Sequence, residues 1–323
     1  MRYLSPKADL TFKKVFGEHP DLVISFLNAM LPFNTPDEEI AWVEYLNPEL
    51  VPHTPLHKDS IVDVRCRDKV GRQFIVEMQM MWTSAYKQRV LFNASKAYVS
   101  QLEKGGDYEL LQPVYSLNLV NDTFSDSEGY YHDYEIVERA DTKEVIEGLR
   151  FIFIELPKFS PKTYNDKRMQ VLWLRYLTEI DEKTREVPEE LLESPEISKA
   201  VTQLEESAFT EAQLLGYDKF WDIVSTMKMQ ISSSQREARE KGLAEGLAEG
   251  LAEGRREGLA EGRAEGRAEG RAEGRAEGRA EGRAEGRREV RIEMALNLKR
   301  CNVPMDIIVK TTGFTEKEIE ELE

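Results

Sequence analysis

Apolar and polar residues alternate along two neighbouring stretches of this chain. In 62–67, Val62, Val64 and Cys66 alternate with Asp63, Arg65 and Arg67. In 74–81, Phe74, Val76, Met78 and Met80 alternate with Ile75, Glu77, Gln79 and Met81. A period of two marks strands with one buried face. The connection Asp68-Lys69-Val70-Gly71-Arg72 is short, polar and contains glycine, so the pair reads as a hairpin. Upstream, Phe12, Val15, Phe16, Leu22, Val23, Phe26, Leu27 and Met30 predict an amphipathic helix over 10–31, split by Pro20. Asp9 precedes it, where aspartate commonly caps a helix. Downstream, a helix over 85–102 carries an apolar stripe of Leu91, Ala94, Tyr98 and Leu102. Its polar stripe is Arg89, Asn93, Lys96 and Ser100, and Gly105-Gly106 stops it. Apolar strands follow at 114–120 and 151–156. Helix, strand, strand, helix, strand is an α/β order.

Beyond 160 the pattern turns helical. Met169, Leu172, Trp173, Tyr176 and Leu177, then Leu204, Phe209, Leu214, Phe220 and Trp221, predict an extension over 161–230 packed on a core of 1–160. Residues 231–289 are different material. Twelve tetrads, first Gly-Leu-Ala-Glu and then mostly Gly-Arg-Ala-Glu, hold twelve of the 20 glycines. A repeat of four drifts about 40° per tetrad around a helix, so no fixed apolar seam forms. Like charges fall at i,i+4, and each interior glycine costs roughly 1 kcal/mol against alanine. A flexible or partly helical linker is expected, with a self-associating rod as the alternative. A small helical tail over 290–323 closes the chain, with Gly313 as a stop and Thr315-Glu316-Lys317-Glu318 as a capping box. Its last helix is almost wholly acidic and so a poor reader of DNA.

Composition narrows the function. At 323 residues and 41% hydrophobic content the chain can bury a sizeable core. No run of about 18 apolar residues appears, and no membrane span is expected. The first residues lack an apolar signal core. Cys66 and Cys301 lie far apart, and the four histidines are scattered, His53 and His57 in a loop. Neither a disulfide framework nor a zinc site is indicated, and a reducing cytoplasm is the simplest compartment. The net charge of −16 argues against a general nucleic-acid binder. It leaves room for acidic residues that hold a metal beside a local basic strip.

The candidate chemistry lies on the hairpin. Side chains alternate across a strand, so Asp63, Glu77 and Gln79 share the face opposite the apolar one. Mg2+ is usually held by one or two carboxylates plus water and phosphate. A metal so held activates water and neutralises charge on a phosphodiester. The same pattern also fits a solvated sheet face with ordinary charges.

The run Asp9-Leu10-Thr11-Phe12-Lys13-Lys14-Val15-Phe16-Gly17, with 58–63, 71–79 and 89–106, resembles the PD-(D/E)XK nuclease family transposases, also called Rpn recombination-promoting nucleases. The Gly-Arg-Ala-Glu tetrads are similar to that family's tails. The resemblance covers 1–160 and, more loosely, the repeat and tail. It implies a restriction-endonuclease-like mixed sheet flanked by helices, followed by helical segments and the repetitive linker. It implies DNA as partner, Mg2+ or another divalent cation as cofactor, and endonucleolytic hydrolysis linked to recombination or transposition. The family's catalytic aspartate falls on Asp63, its second acidic residue on Glu77 and its first-helix acid on Asp9. Its lysine position falls on Gln79, which cannot carry a positive charge. Lys96, on the polar stripe, is the candidate replacement, ahead of Lys58 and Lys13. The backbone carbonyl of Met78 is expected near the metal. The alternative is a non-catalytic relative acting as an interaction or oligomerisation scaffold, which Gln79 and the acidic balance favour.

Overall fold

The computed structural model describes residues 2–33, 35–50, 60–103, 105–161 and 168–322, which form two compact units, 1–232 and 233–323. Lys58, His53 and His57 lie outside the described residues.

In the first unit, α1 (Asp9–Glu18) and α2 (Pro20–Met30) realise the amphipathic pattern. Pro20 starts the second helix rather than kinking one, because the first helical position needs no N–H donor. Asp9 is the first residue of α1 and caps nothing; Ala8 holds the cap position. The strands are β1 (Glu44–Tyr45), β2 (Glu49–Leu50), β3 (Ser60–Ile61), β4 (Val64–Arg67), β5 (Gln73–Gln79), β6 (Val114–Val120), β7 (Tyr131–Tyr134) and β8 (Leu149–Glu155). Six form one mixed sheet in the order β1-β4-β5-β6-β8-β7, while β2 pairs with β3. The hairpin is as expected: β4 and β5 are antiparallel, and Gly71 supplies a left-handed φ of 96° in the turn. β5, β6 and β8 run parallel, and helix α3 (Tyr86–Val99) makes the crossover that a parallel pair requires.

Both faces of the sheet are covered. Phe74 and Val76, with Leu117, Leu119, Ile152 and Ile154, face α1, α2 and the helices α4 (Arg168–Glu179), α5 (Glu189–Leu192) and α6 (Pro195–Thr202). Phe16, Phe26 and Trp173 meet at the centre of that layer. Ile75 and Val114 face Ala94 and Ala97 of α3. The face that carries Glu77 is therefore packed, not solvated.

Two expectations of pattern need correction here. Val62 does not share a face with Val64 and Cys66. It packs with Ile75 and Ala94, whereas Val64 and Cys66 join the opposite core, because the chain bends at Asp63 and resets the alternation. The buried face of α3 is Tyr86, Val90, Asn93, Ala94 and Ala97, and Leu91 is 50% exposed. Small alanines let the helix approach the sheet closely, so the bulkiest residues do not mark its inner side.

Helix α7 spans Glu211–Arg300. Its first turns belong to the first unit, where Leu214, Tyr217, Phe220 and Trp221 pack with Leu4, Ala8 and Phe209. The repeat, expected to be a flexible or partly helical linker, is helix throughout and exposed. Starting a helix is the costly step, and packed helical segments at both ends of the repeat supply the nuclei. In the second unit α8 (Met305–Thr312) and α9 (Glu316–Glu320) close a small core of Ala295, Ile308 and Ile319. Gly313 ends α8 at φ 72°, and both bonds of the Thr315–Glu318 capping box are present. Among the described residues no helix is long and apolar enough to cross a membrane.

Candidate functional site

The site forms where the β4–β5 ladder stops. Val64 pairs with Val76 and no pair follows it. Met78, two residues further along β5, still presents its N–H to the β4 side. The Asp63 carboxylate takes it, with Oδ2 accepting at 2.7 Å. In a strand the N–H and C=O of one residue point the same way, so the Met78 carbonyl also faces Asp63.

Glu77 lies beside this bond and is only 7% exposed. It sits level with Asn118 of β6, and its Oε1 accepts from Asn93 Nδ2 at 3.2 Å. Burial, and then the charge of Asp63, push Glu77 up to about 7, against the pull of Arg89, Asn93 and Lys13. Asp63 is raised too. Burial outweighs the Met78 N–H, and the charge of Asp9 adds to the rise. Among the described residues neither carboxylate has a salt-bridge partner.

Gln79 ends β5. Its Nε2 donates to the Met81 carbonyl at 2.6 Å, and its Oε1 accepts from Arg89 Nη2 at 2.5 Å. The Arg89 guanidinium also covers the Tyr86 ring at 4.8 Å. The Tyr86 hydroxyl donates to Asn118 Oδ1 at 3.1 Å, and Asn118 Nδ2 donates in turn to Ser116 and to the Ile152 carbonyl.

One geometric fact orders these contacts. Gln79 meets Arg89 and Glu77 meets Asn93, while Ile75 shares one cluster with Ala94 and Ala97. Two residues back along a strand cover about 6.6 Å. Four residues forward along a helix cover about 6 Å. Helix α3 thus runs antiparallel to β5 with matching steps.

The structure brings Asp63, Glu77, Met78 and Gln79 together. Asp9 stands at the start of α1 in an ion pair with Lys13 at 2.6 Å, and both charges register on Asp63. Lys96 is engaged elsewhere: its Nζ donates to the Leu50 carbonyl at 2.9 Å and lies 5.1 Å from the Phe92 ring centroid. The polar stripe of α3 is legible in sequence. Which of its residues reach the site depends on where the helix crosses the strand, and the crossing selects Arg89 and Asn93.

The donor set suits a hard divalent cation. A buried and a half-buried carboxylate repel each other, both offer hard oxygen ligands, and a carbonyl faces the same side. Among the described residues no three of His, Cys, Asp and Glu converge on one point. Asp63 and Glu77 would hold the ion, with the Met78 carbonyl and water completing the shell.

A mixed sheet flanked by helices, with one carboxylate near the end of a central strand and a second at the bend beside it, defines a nuclease-like α/β protein of the restriction-endonuclease type. The chain belongs to the PD-(D/E)XK nuclease family transposases, whose family model matches residues 6–234, well over half of its length. No curated protein and no solved structure matches it.

Proposed function

We propose that this protein is a divalent-metal-dependent DNA endonuclease, linked to recombination or transposition. The observation that carries the reading is the pair Asp63 and Glu77. Glu77 is buried and Asp63 half-buried beside it, each is raised by its surroundings, and the charge of Asp63 lifts Glu77 further. A fold tolerates such a pair at a cost that a bound cation removes. The ion, Mg2+ in the family's usual chemistry, would lower the pKa of a water and neutralise phosphate charge.

The reaction is hydrolysis of a phosphodiester. Water adds to phosphorus, one phosphorus–oxygen ester bond breaks, and the leaving sugar oxygen takes a proton. Asp63 and Glu77 hold their oxygens for the ion, the Met78 N–H fixes the Asp63 rotamer, and Asn93 fixes that of Glu77. The packed helix α3 keeps this face of the sheet dry, which strengthens each electrostatic contact.

Nicking of supercoiled plasmid with and without Mg2+ tests the reading. Cleavage that needs the metal and is lost in Asp63→Asn supports it. A second reading, a non-catalytic scaffold, is favoured by Gln79 standing where the family pattern has lysine. A scaffold needs no divalent ion, so absence of Mn2+ binding in a calorimetric titration favours this second reading.

A further inference from the structure

The family pattern asks for a cation beside the two carboxylates, and Gln79 does not provide one. Gln79 is nevertheless not idle. Its carboxamide is locked between two partners, with the nitrogen on the Met81 carbonyl and the oxygen on Arg89. An amide tied down in this way works as a clamp for the guanidinium. Below Arg89 lies the Tyr86 ring, and Tyr86 is anchored through its hydroxyl to Asn118, which is fully buried. The column Asn118, Tyr86, Arg89, Gln79 thus rises from the middle of the sheet to the end of β5.

We propose that Arg89 supplies the positive charge of the site, touching a non-bridging oxygen of the scissile phosphate, and that Gln79 and Tyr86 hold it there. The inference rests on the reading of Asp63 and Glu77 as metal-holding carboxylates. Three observations carry it. Arg89 is the cation in direct contact with the residue at the family's lysine position. The charge of Arg89 registers on both Asp63 and Glu77, which places it within electrostatic reach of both. Arg89 is an exposed residue whose guanidinium has one edge on Gln79 and one face on Tyr86, which leaves further N–H donors for a phosphate. Arginine also suits the task chemically, because its planar fork matches two oxygens of a phosphate and never loses its charge. Glutamine in the motif is then a transfer of the charge from the strand to the helix, not its loss. Lys96, three residues beyond Asn93, is tied to Leu50 instead.

The test uses the full chain. The variants are Arg89→Met, Arg89→Lys, Lys96→Met and Asp63→Asn. Cleavage is followed with Mg2+. Binding of an end-labelled duplex is followed by anisotropy in Ca2+ over a range of salt, and Mn2+ affinity by calorimetry. Arg89→Met is expected to lose about 10²–10³ in rate, as when one preorganised donor is removed from a developing charge. Its salt dependence of DNA binding should flatten by about 0.9, the slope of one phosphate contact. Mn2+ affinity should stay near the parent's, and Arg89→Lys should recover part of both losses. A purely structural role for Arg89 would leave the salt slope unchanged, and that result overturns the proposal. So does parental cleavage by Arg89→Met while Asp63→Asn is dead, in which case the metal site stands and the cation is another. Loss in Lys96→Met with none in Arg89→Met overturns it in favour of Lys96. Absence of metal-dependent cleavage in the parent removes the underlying reading, and the proposal with it.

Discussion

The carboxylate of Asp63 accepts the backbone N–H of Met78 at 2.7 Å, in the position where the next rung of the β4–β5 ladder would fall. A side chain replaces a strand, and the replacement turns a structural hydrogen bond into the anchor of the candidate metal site. Asp63→Asn tests it most cleanly. Asparagine keeps an oxygen for Met78 and removes the charge. Cleavage should be abolished while thermal unfolding stays cooperative, with a midpoint at or above the parent's in the absence of divalent ions. Asp63→Ala should also be inactive but less stable than Asp63→Asn, since a buried N–H left unpaired costs about 1–3 kcal/mol. Nicking by either variant at the parental rate would remove Asp63 from the site.

Glu77 makes stability depend on pH. Its ordinary value is 4.5, and in the fold it is pushed up to about 7, chiefly by burial. The folded state prefers the neutral acid. This stabilisation is full below about pH 4.5 and is lost as pH rises through 7. At about 1.36 kcal/mol per unit the loss comes to roughly 3 kcal/mol. In metal-free buffer the melting midpoint should fall across that window, and Glu77→Gln should flatten the fall. Above pH 7, saturating Mg2+ or Mn2+ should raise the parent's midpoint and not that of Glu77→Gln, because an ion that binds only the folded state stabilises it by mass action. Equal slopes in parent and variant would show that Glu77 is not the titrating group.

Tyr86 separates support from chemistry. Tyr86→Phe keeps the ring beneath Arg89 and removes the bond to Asn118 Oδ1. A buried acceptor without its donor costs about 1–3 kcal/mol, so the melting midpoint should drop by several degrees. The cleavage rate should fall less than tenfold, well short of the loss expected for Arg89→Met. A Tyr86→Phe variant as slow as Arg89→Met would mean that the hydroxyl itself acts at the site.

The repeat is not needed for the catalytic fold. The first unit ends at Ser232, and the last buried side chain of α7 within it is Val224. A chain ending at Ser232 should unfold cooperatively and keep most of its single-turnover activity. One ending at Phe209 loses Tyr217 and Trp221 from around Leu4 and should be markedly less stable. Failure of the longer truncation to fold would assign a structural role to residues 233–323.

The local elements follow from the chain alone. Period-two alternation found β4 and β5, helical spacing found α1, α2 and α3, and Gly313 and Thr315 marked the ends of α8 and α9. Local rules suffice there, because a turn, a cap or a stripe depends on neighbours in sequence. The carboxylates Asp63 and Glu77 stand out in sequence for the same reason: each is a charge set in an alternating apolar run. Three things required the tertiary structure. The bend at Asp63, which sends Val62 and Val64 to opposite cores, arises because a side chain ends the ladder, and alternation carries no trace of it. The packed state of Glu77 depends on α3 crossing the sheet on alanines, which no pattern of large apolar residues reveals. The choice of Arg89 and Asn93 over Lys96 is decided by where that helix meets β5. All three stripe residues look alike in sequence, and the matching of two strand residues to four helix residues brings only the first two to the end of the strand.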